Sequence, residues 1–163
     1  MLLSKSKEKT IKVEEKLKEL GIEIPQVTAP LGSYRPAVIS DKLIFVSGQL
    51  PLKEGRLVFK GKVGAEVSIE DGIQAARIAA INSVSILKNE LGDLNRITRI
   101  VKVTGYVSCA PGFDMQAQVI NGASDFFYEI FGEMGRHARA AVGVYELPLG
   151  APVEIEVIAE ISS

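Results

Sequence analysis

Residues 10–20 set Ile11, Val13, Leu17 and Leu20 at near-helical spacing among lysines and glutamates, and Gly21 follows as a stop. An amphipathic first helix is expected. Residues 24–36 break that period with Pro25, Pro30, Gly32 and Pro36, so they read as a connecting loop, which carries Tyr34. Two short β-type runs, 38–39 and 42–47, flank Ser40-Asp41 and predict a hairpin ending in Ser47-Gly48-Gln49. Residues 57–60 form one more short extended run between Gly55 and Gly61.

The period then changes. Ser68-Ile-Glu-Asp71 has the form of a capping box, and Ile73, Ala76, Ala80, Ile81, Val84, Leu87 and Leu91 recur every three or four residues until Gly92. A long helix is expected, with its alanines allowing close packing on a sheet. Residues 97–108 are β-branched and apolar enough for a central strand, with Gly105 marking a bulge or a close approach. Residues 115–131 predict another helix, interrupted early at Asn121-Gly122. Residues 139–146 and 153–161 are the last two strands, joined by Leu147-Pro-Leu-Gly-Ala-Pro152.

Strands and helices mix without regular βαβ alternation. The fold class is therefore α+β: a mixed sheet with two long helices on one face, in a single domain of residues 1–163. With both helices on one face, the two long apolar strands predict an outer face too apolar for water, covered by self-association. A cyclic oligomer would place clefts between subunits.

Composition narrows the function. Nineteen basic and twenty acidic residues give a net charge of −1, which offers no general pull toward nucleic acid or an anionic membrane. No apolar run approaches the length of a membrane span, and the first residues lack the layout of a secretory signal. The lone Cys109 excludes an internal disulfide and makes a reducing, cytoplasmic setting the expectation.

Anion recognition must then be local, and Arg139 is the candidate. Along its strand Arg139, Ala141 and Gly143 share one face, which leaves room beside a planar fork of donors suited to a carboxylate. The competing reading has its head in water or paired with an acid of the same chain.

Four segments, Leu31-Gly-Ser-Tyr34, Phe45-Val-Ser-Gly-Gln-Leu-Pro51, Ala138-Arg139 through Glu146-Leu-Pro148, and Val153-Glu-Ile-Glu-Val-Ile-Ala159, occur in an order that resembles the Rid/YjgF reactive-intermediate deaminases, also called endoribonuclease L-PSP proteins. The similarity covers residues 31–160, with residues 1–24 as an N-terminal helical extension. The resemblance implies a chorismate-mutase-like homotrimer that hydrolyses 2-imino acids to 2-keto acids and ammonia, with no cofactor or metal. Position by position it implies Arg139 as the carboxylate clamp and Glu154 as the group that activates water. Tyr34, Ser47, Gly48, Asn121 and Ala141 would line the pocket. Many relatives carry cysteine where this chain has Ala141, so any contribution there falls to the backbone.

Two geometric expectations accompany the resemblance. A tight hairpin centred near residues 149–150 would set Tyr145 opposite Glu154, leaving Arg139 roughly 20 Å away along the strand. The two would then not meet within one chain, so either that hairpin is offset or the site combines residues from two chains, and an isolated monomer is expected to be inactive. His137, the sole histidine, is expected on the face opposite Arg139, outside the chemistry. Competing functions are a non-catalytic sensor of 2-keto acids and, ranked last, a ribonuclease, since no basic patch accompanies a stacking platform.

Overall fold

In the computed structural model, residues 12–27, 29–30 and 32–163 are described; Thr10 and Ile11 of the predicted first helix, and Leu31, lie outside them. The first helix, α1 (Val13–Glu19), buries Val13 and Leu17, and the Val13 N–H donates to Asn95 Oδ1 at 3.1 Å. The predicted hairpin follows as β1 (Ala37–Ser40) and β2 (Leu43–Gln49), with Asp41 at φ 53° in the turn. The extended run expected over 57–60 is instead the second arm of a small separate hairpin, β3 (Leu52–Lys53) and β4 (Arg56–Leu57). Gly55 at φ 76° closes that turn.

Helix α2 (Ile69–Leu91) starts where the capping motif predicted, with Ser68 Oγ accepting from the Asp71 N–H at 3.1 Å. Strand β5 (Ile97–Ser108) and helix α3 (Gln116–Phe131) follow, then β6 (Ala138–Val144) and β7 (Val153–Ile161). Contrary to the sequence expectation, α3 runs unbroken through Asn121-Gly122. Gly122 is there because α2 crosses it: a methyl at this position would collide with the Ile73 carbonyl. Gly105 is likewise a close approach and not a bulge, since a methyl there would overlap Ile120 of α3.

The main sheet has the order β1-β2-β7-β5-β6, antiparallel throughout except for the parallel β5–β6 pair. The last two strands therefore do not form a hairpin. The loop after Val144 carries the chain past the end of β5, over roughly 10 Å of sheet, so that β7 enters between β2 and β5. That loop is tied down by the Gly61 N–H to the Gly150 carbonyl at 2.9 Å and by Lys62, which donates to the Tyr145 carbonyl. Glu154 consequently sits opposite Tyr106 and not opposite Tyr145.

Both long helices cover one face. Beneath them Val153, Ile155, Val157, Ala159 and Ile161 of β7 alternate inward with Val103 and Val107 of β5, and Phe126 and Phe127 of α3 are fully buried. Each of these side chains except that of Ala159 contributes about 1.5–3 kcal/mol of burial. The outer face departs from the apolar surface expected. Val38, Phe45, Ile158 and Val142 lie among Lys102, Thr104, Tyr106, Glu154, Glu156 and Glu160, because three of the four outward positions of β7 are acidic. Among the described residues no helix is long and apolar enough to cross a membrane.

Candidate functional site

The predicted site residues fall into two groups on opposite faces of the sheet. In the register, Arg139 lies beside Val103 and Glu154 beside Tyr106, three residues apart along the shared neighbour β5. An odd separation puts the two side chains on opposite faces. The expectation that Arg139 and Glu154 do not meet within one chain holds for this reason and not through the hairpin first supposed.

The first group is built on a β-bulge. Between Val46 and Gln49 the register of β2 against β7 shifts by one residue, which places Ser47 and Gly48 against Glu156, between the pairs Val46–Val157 and Gln49–Ile155. Ser47 Oγ donates to the Arg35 carbonyl at 2.7 Å, pinning the loop that precedes β1. Gln49 Nε2 donates back to the Ser47 carbonyl at 3.0 Å and stiffens the bulge. Gly48 then lies directly beneath the Glu154 carboxylate, so closely that a methyl at Gly48 would overlap Oε1. Tyr34, Ser47, Gly48 and Glu154 line one cleft of about 570 Å³. Its remaining wall, from Pro30, Pro36, Leu50, Leu52, Ile86 and Pro148, was missed from sequence. Leu50 and Pro148 lie within two of the quoted segments, but the others are apolar and scattered along the chain, so no local pattern marks them.

Glu154 is half-buried, and burial pushes its carboxyl above the ordinary value, with the neighbouring charge of Glu156 adding to the effect. Tyr106 donates its hydroxyl to Glu156 Oε2 at 3.2 Å. Its own ionisation is pushed up by burial first and by the charges of Glu156 and Glu154 after it. A carboxylate held in a partly dry cleft with a raised pKa is a competent acceptor and donor of protons.

The second group lies at the edge strand β6. Ala117, Asn121 and Ser124 fall at i, i+4 and i+7 on α3 and so share one helical face. Arg139 lies along that face: Nη1 donates to Asn121 Oδ1 at 2.8 Å and Ser124 Oγ at 3.1 Å, and Nη2 donates to the Ala117 carbonyl at 3.2 Å. Three of the five guanidinium N–H donors are thus engaged, leaving Nε and one on Nη2. Among the described residues no carboxylate pairs with Arg139. Ala141 follows on the same face, beside Gly105 in the register.

His137 also belongs to this second group, against expectation. It immediately precedes β6, and its Nε2 lies 2.9 Å from Ser124 Oγ, the atom that accepts from Arg139. Ser124 was missed as well, although its spacing from Asn121 on a predicted helix could have found it. Among the described residues no three His, Cys, Asp or Glu side chains converge as a metal site.

Fold and site together define a small α+β protein with a cleft of small-molecule size and a half-buried cation at the edge of the sheet's other face. The chain belongs to the family described as "YjgF/chorismate mutase-like, putative endoribonuclease", whose model matches residues 14–161. That match begins within α1. It is 42% identical over 153 residues to Protein TCP17 of Trypanosoma cruzi, covering 93% of this chain and 96% of that one. It is 32% identical over 140 residues to the 2-iminobutanoate/2-iminopropanoate deaminase of Rattus norvegicus, covering 85% of this chain and 87% of the relative. A solved structure of a protein of unknown function from Agrobacterium tumefaciens is 44% identical, covers 92% of each chain and superposes with a TM-score of 0.86.

Proposed function

We propose that this protein hydrolyses 2-imino acids, in equilibrium with their enamines, to 2-keto acids and ammonia, at sites completed between neighbouring subunits of a homotrimer. The observation that carries this reading is the division of the site. Among the described residues, Glu154 lies in a cleft lined by no cation, while Arg139 keeps two donors on the other face with no carboxylate beside it. Association that brings the β6 edge of one subunit to the cleft of the next supplies each with what it lacks. It also covers Val38, Phe45 and Val142, which are about half exposed in the single chain.

In such a composite site Arg139 takes the substrate carboxylate on its Nε and Nη2 donors and fixes C2 near Glu154. Water adds to C2 of the C=N bond as Glu154 removes its proton, and that proton passes to the imine nitrogen to give a carbinolamine. Glu154 then relays the carbinolamine hydroxyl proton to the amine; the C–N bond breaks, ammonia leaves and the C2–O bond becomes a carbonyl. The raised pKa of Glu154 favours both directions of this shuttle. The sequence similarity to a protein named as such a deaminase supports the reaction class. The lone Cys109 supports a reducing, cytoplasmic setting.

The test is the rate at which purified protein removes 2-iminopropanoate and 2-iminobutanoate generated by an amino-acid oxidase. Wild type should accelerate the loss, and Arg139→Ala and Glu154→Gln should each lower kcat/KM by about a hundredfold or more while remaining folded. Absence of acceleration with retained binding of 2-ketobutanoate would make this a carboxylate sensor and sink the hydrolase reading.

A further inference from the structure

We propose that His137 is a positioning residue for Arg139, acting through the hydroxyl of Ser124. The inference rests on the reading of Arg139 as the carboxylate clamp and adds to it a mechanism of orientation.

The hydrogen-bond polarity of the chain of contacts is determined from both ends. Gly135 offers only a carbonyl to His137 Nδ1, at 2.7 Å, so Nδ1 carries the proton of the neutral ring. Nε2 is then an acceptor, and at 2.9 Å it takes the Ser124 O–H. With its proton committed, Ser124 Oγ turns lone pairs to Arg139 Nη1 at 3.1 Å. A serine within a helix can give its hydroxyl to the carbonyl one turn earlier; here it gives it to His137 instead. The Phe127 ring meets the imidazole edge-on with centroids 5.9 Å apart and holds its plane. Removing either link takes away one of the three anchors, Asn121, Ser124 and Ala117, that hold the guanidinium, and so loosens the aim of its two remaining donors.

The same contacts make the arrangement dependent on protonation. Burial keeps His137 below the ordinary histidine value, and the Arg139 charge acts in the same direction against the opposing bond to Gly135. A separate pocket lies around His137 and Arg139, and the other titratable or charged groups lining it are Asp125 and Tyr128 from α3 and Arg136 before β6. In the neutral range the ring is uncharged. Protonation turns Nε2 into a donor, reverses the Ser124 hydroxyl and sets an imidazolium beside the guanidinium.

The experiment is calorimetric titration of 2-ketobutanoate into wild type, Arg139→Ala, Ser124→Ala, His137→Leu and His137→Gln, across pH 5 to 8, with KM and kcat measured on the same proteins. Glutamine keeps an acceptor near the Nε2 position and cannot become cationic there. Ser124→Ala and His137→Leu should weaken binding and raise KM about tenfold with kcat little changed, and His137→Gln should restore near-wild-type binding. Wild-type binding should weaken as pH falls below the usual histidine range, and His137→Gln should lose that dependence. If Ser124→Ala binds like wild type, or His137→Gln fails as badly as His137→Leu, the positioning role is wrong. If Arg139→Ala binds as tightly as wild type, the clamp itself is wrong and this inference goes with it.

Discussion

Gly48 and Glu154 act as one unit, because the absence of a side chain at one is what gives the other its place. A Gly48→Ala methyl would meet the far end of a flexible glutamate, which can swing aside, so the fold should lose no more than about 1–2 kcal/mol. The carboxylate would leave its position, so the proposed deaminase activity should fall by about a hundredfold or more, read as kcat/KM beside a denaturant unfolding curve. The charge of Glu156 gives a second expectation. It helps hold the Glu154 carboxyl above its ordinary value, so Glu156→Gln should move the acid limb of the kcat/KM profile to lower pH. The sign for stability runs the other way. A carboxyl whose folded pKa is raised costs stability once pH rises through that pKa, so Glu154→Gln should raise Tm at pH 7, by on the order of one to three degrees, while removing activity.

Helices α2 and α3 touch backbone to backbone where Gly122 faces the Ile73 carbonyl, and this contact sets how deep α3 lies on β5. Its depth fixes where Asn121 and Ser124 present their oxygens to Arg139. Gly122→Ala cannot be absorbed by a side chain, since the obstacle is main chain. It should lower unfolding free energy by about 1–3 kcal/mol by denaturant titration and weaken 2-ketobutanoate binding in the fraction that remains folded. The bulge in β2 is the other element-level device, as it turns a strand end into the floor of the cleft.

For the assembled molecule, the division of the site makes a quantitative expectation. Arg139→Ala and Glu154→Gln chains, each inactive alone, should regain activity when unfolded and refolded together. A site needs an intact Glu154 from one chain and an intact Arg139 from its neighbour, so random mixing in equal amounts restores about a quarter of wild-type activity. Light scattering should find three 17.6 kDa chains per particle. A fully active monomer, or no recovery from mixed trimers, would exclude the shared site.

Periodicity made the helices, the first hairpin and the long central strand legible, because a 3.6-residue or two-residue repeat is a local property that the chain carries wherever it folds. Tyr34, Ser47, Gly48, Arg139 and Glu154 were likewise visible as short motifs. The partner of β7 was not, since a loop of that length can close a hairpin or step over a neighbouring strand, and local pattern does not distinguish them. Nor were the roles of Gly122, Ser124 and His137. Each depends on what stands across from it, a helix backbone, a guanidinium or a carbonyl brought there by packing, and those distances exist only once the sheet order and helix depth are set.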